Sequence, residues 1–286
     1  MDKNNLISWL FKTTAVRVCP ENRPFWYTSS KIGPYYINTH FLYGGEEKAN
    51  SLLKVIDVCK ENKMDCSEIV LELVRKNFES DAIFRGLITS MCEYIRSNFD
   101  MKNIAYISGG ERRDWFFSLI IADILKVPHI TIFKDMTAVL YKSGVSSEVK
   151  DLKNENVLHI ADIITEASSY TRAWIPAIQG LNGNLKYSLV VIDRLQGGAE
   201  KLNNAGVESH ALMNVDQSLF DGALKEKYIT DKQHSMLMGY LEDPMGTMKT
   251  FLIEHPEFIE NSLKSDPKTV ERAKICLEQN IYGLRD

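Results

Sequence analysis

The stretch Val157-Leu158-His159-Ile160-Ala161-Asp162-Ile163-Ile164-Thr165-Glu166-Ala167-Ser168-Ser169 ends an apolar run in a carboxylate and follows it with a hydroxyl-rich turn. Backbone N–H groups at such a turn, where a helix begins, point outward and bind phosphate. Thr165, Ser168 and Ser169 have hydroxyls to add, and Asp162 is placed to accept from ribose hydroxyls or to ligate magnesium. Ser168 or Ser169 acting only as a helix N-cap explains the same residues, and on this segment alone that reading is slightly the better one. Arg112 and Arg113 precede a helix. The helix dipole disfavours cations there, which hints at an anion; a solvated surface pair is the commoner explanation. Arg194 follows a second apolar run, Tyr187 to Asp193, and leads into Gly197-Gly198. His159 sits in mid-strand and reads as a core histidine. No two of the remaining histidines stand close at ligand spacing, so no metal cluster is expected.

The elements that must position these residues are legible from periodicity. Residues 46–98 read as helical, with stripes at Leu52, Leu53, Val55, Ile56 and Cys59, at Ile69, Leu71, Leu73 and Val74, and at Ile83, Leu87, Ile88, Met91, Tyr94 and Ile95. Short apolar runs at 103–108, 129–133, 157–164, 187–193 and 209–214 read as strands, separated by helical segments at 114–126, 168–180 (interrupted by Pro176) and 198–205. This alternation predicts an α/β fold: a mostly parallel central sheet with helices on both faces. Residues 134–156 are polar and predict a mobile loop. Residues 217–286 carry helical patterns broken at Pro244, Pro256 and Pro267 and predict a helical C-terminal extension. The expected division is an α/β domain over 1–216, with a helical insertion at about 46–102, followed by the extension.

In open parallel sheets ligands bind at the carboxyl ends of strands, which is where these candidates fall. The 157–169 segment resembles the phosphoribosyl-pyrophosphate (PRPP) motif of type I phosphoribosyltransferases. Val190-Val191-Ile192-Asp193-Arg194-Leu195-Gln196-Gly197-Gly198, with Leu202, Ala205-Gly206-Val207 and His210-Ala211-Leu212 after it, is similar to the matching stretch of orotate phosphoribosyltransferases. So is Ser29-Ser30-Lys31-Ile32-Gly33-Pro34-Tyr35-Tyr36-Ile37-Asn38 near the N-terminus. The three matches stand in the family's order and bracket residues 27–215.

The resemblance implies transfer of phosphoribosyl from PRPP to orotate or a related base, with Mg²⁺ as cofactor. It places Asp162 at the ribose and at the metal, Thr165, Glu166, Ala167, Ser168 and Ser169 around the 5′-phosphate, and Arg112 and Arg113 at pyrophosphate. Lys134 matches a catalytic lysine. Lys31, Tyr35, Tyr36 and Arg194 fall at the base, and the fork of Arg194 suits a planar anion. A homodimer is implied as well.

Departures from the pattern are equally specific. Ala161 stands where the family has its first acid, Glu166 and Ala167 replace a hydroxyl residue and a glycine, and Thr28 replaces a lysine. The segment 134–156 has no histidine, although Lys142, Lys150 and Lys153 remain. Two readings therefore stand: an active transferase, or a non-catalytic nucleotide- or phosphosugar-binding protein on the same fold.

Composition bounds the rest. With 286 residues, 44% of them hydrophobic, and a net charge of −4, the chain has material for a full core and no signature of a nucleic-acid-coating protein. Its five cysteines, odd in number and without CxxC spacing, read as reduced thiols rather than a disulfide framework or zinc site. The longest apolar run, Trp115 to Val127, is interrupted by Ser118, Asp123 and Lys126. A soluble, cytoplasmic protein without membrane contact is the expectation.

Overall fold

The computed structural model describes residues 3–284. From the N-terminus run helix α1 (Lys3–Lys12) and the short strands β1 (Val16–Val18), β2 (Phe25–Trp26), β3 (Ile32–Gly33) and β4 (Tyr35–Ile37). Helices α2 (Glu46–Cys59), α3 (Lys63–Ser80) and α4 (Ala82–Asn98) follow. The α/β part comprises β5 (Tyr106–Gly110), α5 (Trp115–Leu125), β6 (His129–Ile132), β7 (Ala138–Lys142), β8 (Val145–Glu148), β9 (Asn156–Ile164), α6 (Ile175–Gly180), β10 (Asn184–Asp193), α7 (Gly198–Asn204) and β11 (Glu208–Asn214). Helices α8 (Gln217–Lys225), α9 (Asp231–Glu242), α10 (Pro244–Glu254), α11 (Glu257–Ser262) and α12 (Pro267–Glu278) close the described chain.

The chain divides into two compact units, residues 1–15 with 39–215 and residues 16–38 with 216–286. In the first, and among the described residues, a seven-stranded sheet has the order β11-β10-β9-β5-β6-β7-β8. The five strands from β11 to β6 run parallel. Their apolar residues are buried on both faces: Val157, Leu158, Ile160, Leu189, Val190, Val191 and Ile192 are each fully enclosed, as a sheet covered by helices requires. Helix α5 is apolar nearly all round, with Trp115, Phe116, Phe117, Leu119, Ile120 and Ile121 buried. It packs on β5 and β6 and is covered in turn by α3 and α4, which explains why the chain carries helices between residues 46 and 98. Val55 and Ile69, read as stripe residues, are 36% and 38% exposed. Val70 and Cys66 occupy the buried face of α3 instead.

The expected mobile loop at 134–156 is corrected by the fold. Residues 138–148 form an antiparallel hairpin, β7–β8, that extends the sheet beyond β6. Ser143 and Gly144 both have positive φ (51° and 81°), the geometry of a two-residue hairpin turn. The weak apolar alternation of Val139 and Tyr141 was enough because β6 supplies a ready edge. Residues 168–180 are helical as expected, and the irregularity at Pro176 is a change of helix type: Pro176 lies in the first turn of α6, where no N–H is needed. A wider turn over Tyr170–Trp174 leads in, closed by the Ile175 N–H donating to the Tyr170 carbonyl.

The second unit joins the N-terminal ribbons to the C-terminal helices. Val16 pairs with Ile37 and Phe25 with Gly33 in antiparallel ladders. Trp26 and Ile32 share a core with Met248, Phe251, Leu252, Ala273, Cys276 and Tyr282. The Trp26 indole donates to Ser262 Oγ (3.0 Å), and the Ile32 N–H donates to the Tyr282 hydroxyl (2.8 Å). Residues 16–38 thus pack with 216–286, a grouping that differs from the expected cut after residue 216. Two-residue strands cannot bury their own side chains, and helices α10 and α12 provide the apolar partners. No described helix is long and apolar enough to cross a membrane.

Candidate functional site

Strands β5 and β9 are adjacent and parallel, so their carboxyl ends lie side by side. Beyond them opens a cavity of ≈ 460 Å³ lined by residues 111–114, Lys134, residues 161–170 and Trp174. Of the sequence candidates, Arg112, Arg113, Lys134, Asp162, Thr165, Glu166, Ala167, Ser168 and Ser169 all line it. Segments far apart in the chain are brought together because the parallel topology delivers each strand end to the same edge.

Asp162 is 7% exposed, and its Oδ2 has no hydrogen-bond partner. Its backbone N–H donates to Asp114 Oδ1 at 3.1 Å. Asp114 Oδ2 accepts from the Gly110 N–H, also at 3.1 Å, and stands 3.5 Å from His159 Nε2. Burial and the Asp114 carboxylate together push Asp162 up to about 7, against the pull of the Arg113 guanidinium. Asp114 escaped the sequence reading, which took it only as a helix start. The signal was there: a carboxylate just past a strand ending in Gly-Gly, at the N-terminus of a largely apolar helix. His159, expected in the core, is fully buried, with Nδ1 2.9 Å from Ser108 Oγ and its ring against Tyr170 and Trp174.

The turn 165–169 starts a helix. Ala167 adopts φ 54°, so alanine takes the left-handed backbone where the resemblance expected glycine, at a cost of about 1–2 kcal/mol. The methyl is buried in the core under the sheet. Glu166 is exposed, and solvent there screens its charge. Its carbonyl accepts from Lys201 Nζ at 3.4 Å. Gly198 brings α7 against this turn: a Cβ on it would lie 2.6 Å from the Thr165 carbonyl oxygen.

The cations sit nearer solvent than the aspartates. Arg113 and Lys134 are exposed. Arg112 is ion-paired with Asp57 of α2. The Lys134 N–H donates to Glu111 Oε2 (3.1 Å), while Glu111 Oε1 accepts from Lys60 Nζ (3.0 Å). The loop after β5 is therefore anchored both to the α2–α3 turn and to the segment after β6. Arg112 and Arg113 also help burial hold His40 down at about 3.

Four candidates do not line this cavity. Arg194 donates its backbone N–H to the Ile164 carbonyl at 3.0 Å, at the adjoining strand end. Lys31, Tyr35 and Tyr36 belong to the second unit. Lys31 is exposed there. Tyr35 is 2% exposed with its ring against Phe220 and Tyr240, and Tyr36 meets Phe25 and Tyr27 edge-on.

Among the described residues no group of three or more His, Cys, Asp or Glu could hold a metal alone. The buried pair Asp114 and Asp162 nevertheless fits magnesium. That ion takes hard oxygen donors, needs only one or two carboxylates beside substrate phosphates, and would offset the burial and the Asp114 charge that raise Asp162.

No protein-family profile matches the chain. It is 31% identical over 91 residues to an orotate phosphoribosyltransferase of Saccharolobus solfataricus, covering 32% of this chain and 46% of that protein, under half its length. To an adenine phosphoribosyltransferase of Haemophilus influenzae it is 26% identical over 161 residues, 52% of this chain and 87% of the relative. Superposed on the structure of Leishmania donovani UMP synthase it gives a TM-score of 0.58 at 16% identity, covering 85% of this chain and 42% of that one. The chain therefore has the type I phosphoribosyltransferase fold and is similar over part of its length to orotate and adenine phosphoribosyltransferases.

Proposed function

We propose that this protein is an orotate phosphoribosyltransferase-like enzyme that transfers phosphoribosyl from PRPP to orotate or a related pyrimidine-like base. The observation that carries the reading is Asp162: a buried carboxylate with a free oxygen, at a strand end, beside a turn that opens a helix into a cavity. Phosphoribosyl transfer passes through an oxocarbenium-like state as pyrophosphate leaves, so the protein's task is to position reactants and neutralise charge. In this reading the backbone and hydroxyls of 165–169 hold the 5′-phosphate. Arg112, Arg113 and Lys134 take the leaving pyrophosphate, with Lys134 as the catalytic cation. Asp162 accepts from the ribose hydroxyls. Magnesium, held by Asp162 with Asp114 beside it, would add positive charge at the pyrophosphate oxygens. Arg194, Lys31, Tyr35 and Tyr36 are assigned to the base by resemblance, as is a homodimeric state. Titration calorimetry with PRPP and Mg²⁺, followed by chromatographic detection of orotidine monophosphate, tests the proposal. Absence of PRPP binding defeats it.

A second reading rests on Ala161, Glu166 and Ala167 and on the lack of a histidine in 134–156. Here the site binds PRPP or a phosphosugar without turnover. Binding without product, for orotate and for adenine alike, selects this reading; turnover of either base eliminates it.

A further inference from the structure

Cys59 ends α2 and Cys66 lies in the first turn of α3, joined by the short turn 60–62. Their sulfurs are 3.0 Å apart. The turn is tight: the Asn62 N–H donates to the Cys59 carbonyl, and the Cys66 N–H donates to the Asn62 carbonyl. Closing the gap to a disulfide asks for a movement of about 1 Å. Cys59 keeps 7% of its surface exposed, whereas Cys66 is fully buried. The hydrogen bond between the two sulfurs, in which either can donate, lowers the pKa of Cys59, while the same bond and burial raise that of Cys66. This arrangement makes Cys59 the nucleophile and Cys66 the resolving thiol. The other cysteines of the described chain, Cys19, Cys92 and Cys276, are buried, and burial raises their thiol pKa values.

The pair abuts the candidate site. Lys60, next to Cys59 in the chain, bridges Asp57 (3.3 Å) and Glu111 (3.0 Å), and Asp57 also pairs with Arg112. Glu111 in turn accepts from the Lys134 N–H. A shift of the α2–α3 turn is therefore delivered to the loop that carries Arg112 and Arg113.

We propose that Cys59 and Cys66 are a redox-active dithiol that a peroxide converts to an intramolecular disulfide, and that the disulfide weakens anion binding by displacing the Lys60–Glu111 and Asp57–Arg112 ties. The second half rests on the proposed phosphate site. In the reaction the Cys59 thiolate attacks a peroxide oxygen, the O–O bond breaks, and one water leaves as Cys59 becomes a sulfenic acid. The Cys66 sulfur then attacks the Cys59 sulfur. The S–S bond forms, the S–O bond breaks and a second water departs. Two thiols and one peroxide give one disulfide and two waters, with two electrons passing from sulfur to oxygen.

The full chain is treated with hydrogen peroxide and digested with trypsin without reduction. Cleavage after Lys54, Lys60, Lys63 and Arg75 separates the two cysteines, so the disulfide joins peptide 55–60 to peptide 64–75. Pyrophosphate binding is measured by calorimetry before and after oxidation. The expected result is the cross-linked peptide, together with a several-fold loss of pyrophosphate affinity that dithiothreitol restores. Cys59→Ser and Cys66→Ala are expected to bind like the reduced parent and to give no 55–60/64–75 cross-link with peroxide; in Cys66→Ala oxidation stops at the Cys59 sulfenic acid, which dimedone traps. Oxidation at other cysteines with no 55–60/64–75 peptide overturns the dithiol. The cross-link with unchanged affinity overturns the coupling. A reduced protein that binds no pyrophosphate counts against the phosphate site and hence against the coupling, while the peptide map still decides the dithiol.

Discussion

Asp114 holds Asp162 by the backbone: the Asp162 N–H donates to Asp114 Oδ1 at 3.1 Å, which brings a buried carboxylate from the start of α5 beside one near the end of β9. Ala161 removes one acid from the strand itself. Asp114, from the loop after β5, lines the same cavity as Asp162, so two carboxylates meet there although the strand itself carries one.

The pair has a pH signature. Asp162 is pushed up to about 7 by burial and by Asp114. With an unfolded pKa of about 3.9, the folded state binds the extra proton between about pH 4 and 7, so this group's contribution to stability falls as pH rises through that window. His40 and His129, both held down at about 3 by burial, act the other way and cost stability as pH falls below about 6.5. Comparing Asp162→Asn with the parent cancels the histidines. The variant is expected to gain stability relative to the parent as pH rises from 4 to 8, read from urea midpoints. Magnesium at pH 8 should shrink the gap. A difference independent of pH contradicts the assignment.

Asp114→Ala leaves the Gly110 and Asp162 N–H groups without their acceptor. A loss of about 1–3 kcal/mol is expected in urea unfolding. Asp114→Asn retains one acceptor oxygen and should lose less. Equal losses would mean that the hydrogen bonds are not what Asp114 contributes.

Lys134 is exposed at the cavity, and only its backbone is tied down, to Glu111. Lys134→Ala should leave the melting temperature nearly unchanged while reducing pyrophosphate affinity by about tenfold, the worth of one charged contact. The reduction should be smaller at high salt, because an exposed charge is screened. Calorimetry at two ionic strengths checks both; a loss insensitive to salt assigns Lys134 another role.

Gly110 sits under Trp174, and a Cβ there would lie 2.2 Å from the indole. Gly110→Ala should destabilise by about 1–3 kcal/mol through overpacking, seen as a lower thermal midpoint. Adding Trp174→Phe should recover part of it. No recovery would place the strain in the strand backbone rather than against the ring.

Much of the site was readable because its residues follow apolar runs. Asp162 and the turn 165–169 are contiguous with β9, and Arg112 and Arg113 with β5, so strand recognition located them. Asp114 was not readable in this way. Its partner lies 48 residues further on, and nothing local marks a helix-start aspartate as an acceptor for a distant N–H. The β7–β8 hairpin was missed for a related reason: β8 is mostly exposed and polar, and its strand conformation depends on an edge that another segment supplies. The assignment of Tyr35 and Tyr36 to the base came from motif order alone, which carries no information about the unit in which a segment packs.

Periodicity and turn chemistry are properties of neighbours along the chain, so the strand–helix alternation, the acid-ended strand and the helical tail were all written in residue order. Contacts between distant segments are not. The meeting of Asp114 with Asp162, the pairing of Cys59 with Cys66 across a helical hairpin and the packing of Trp26 and Ile32 among the C-terminal helices depend on which buried surfaces fit together. Burial then raises Asp162 and leaves its Oδ2 free, because the repulsion of two carboxylates and the loss of water around them exist only once the strands lie side by side.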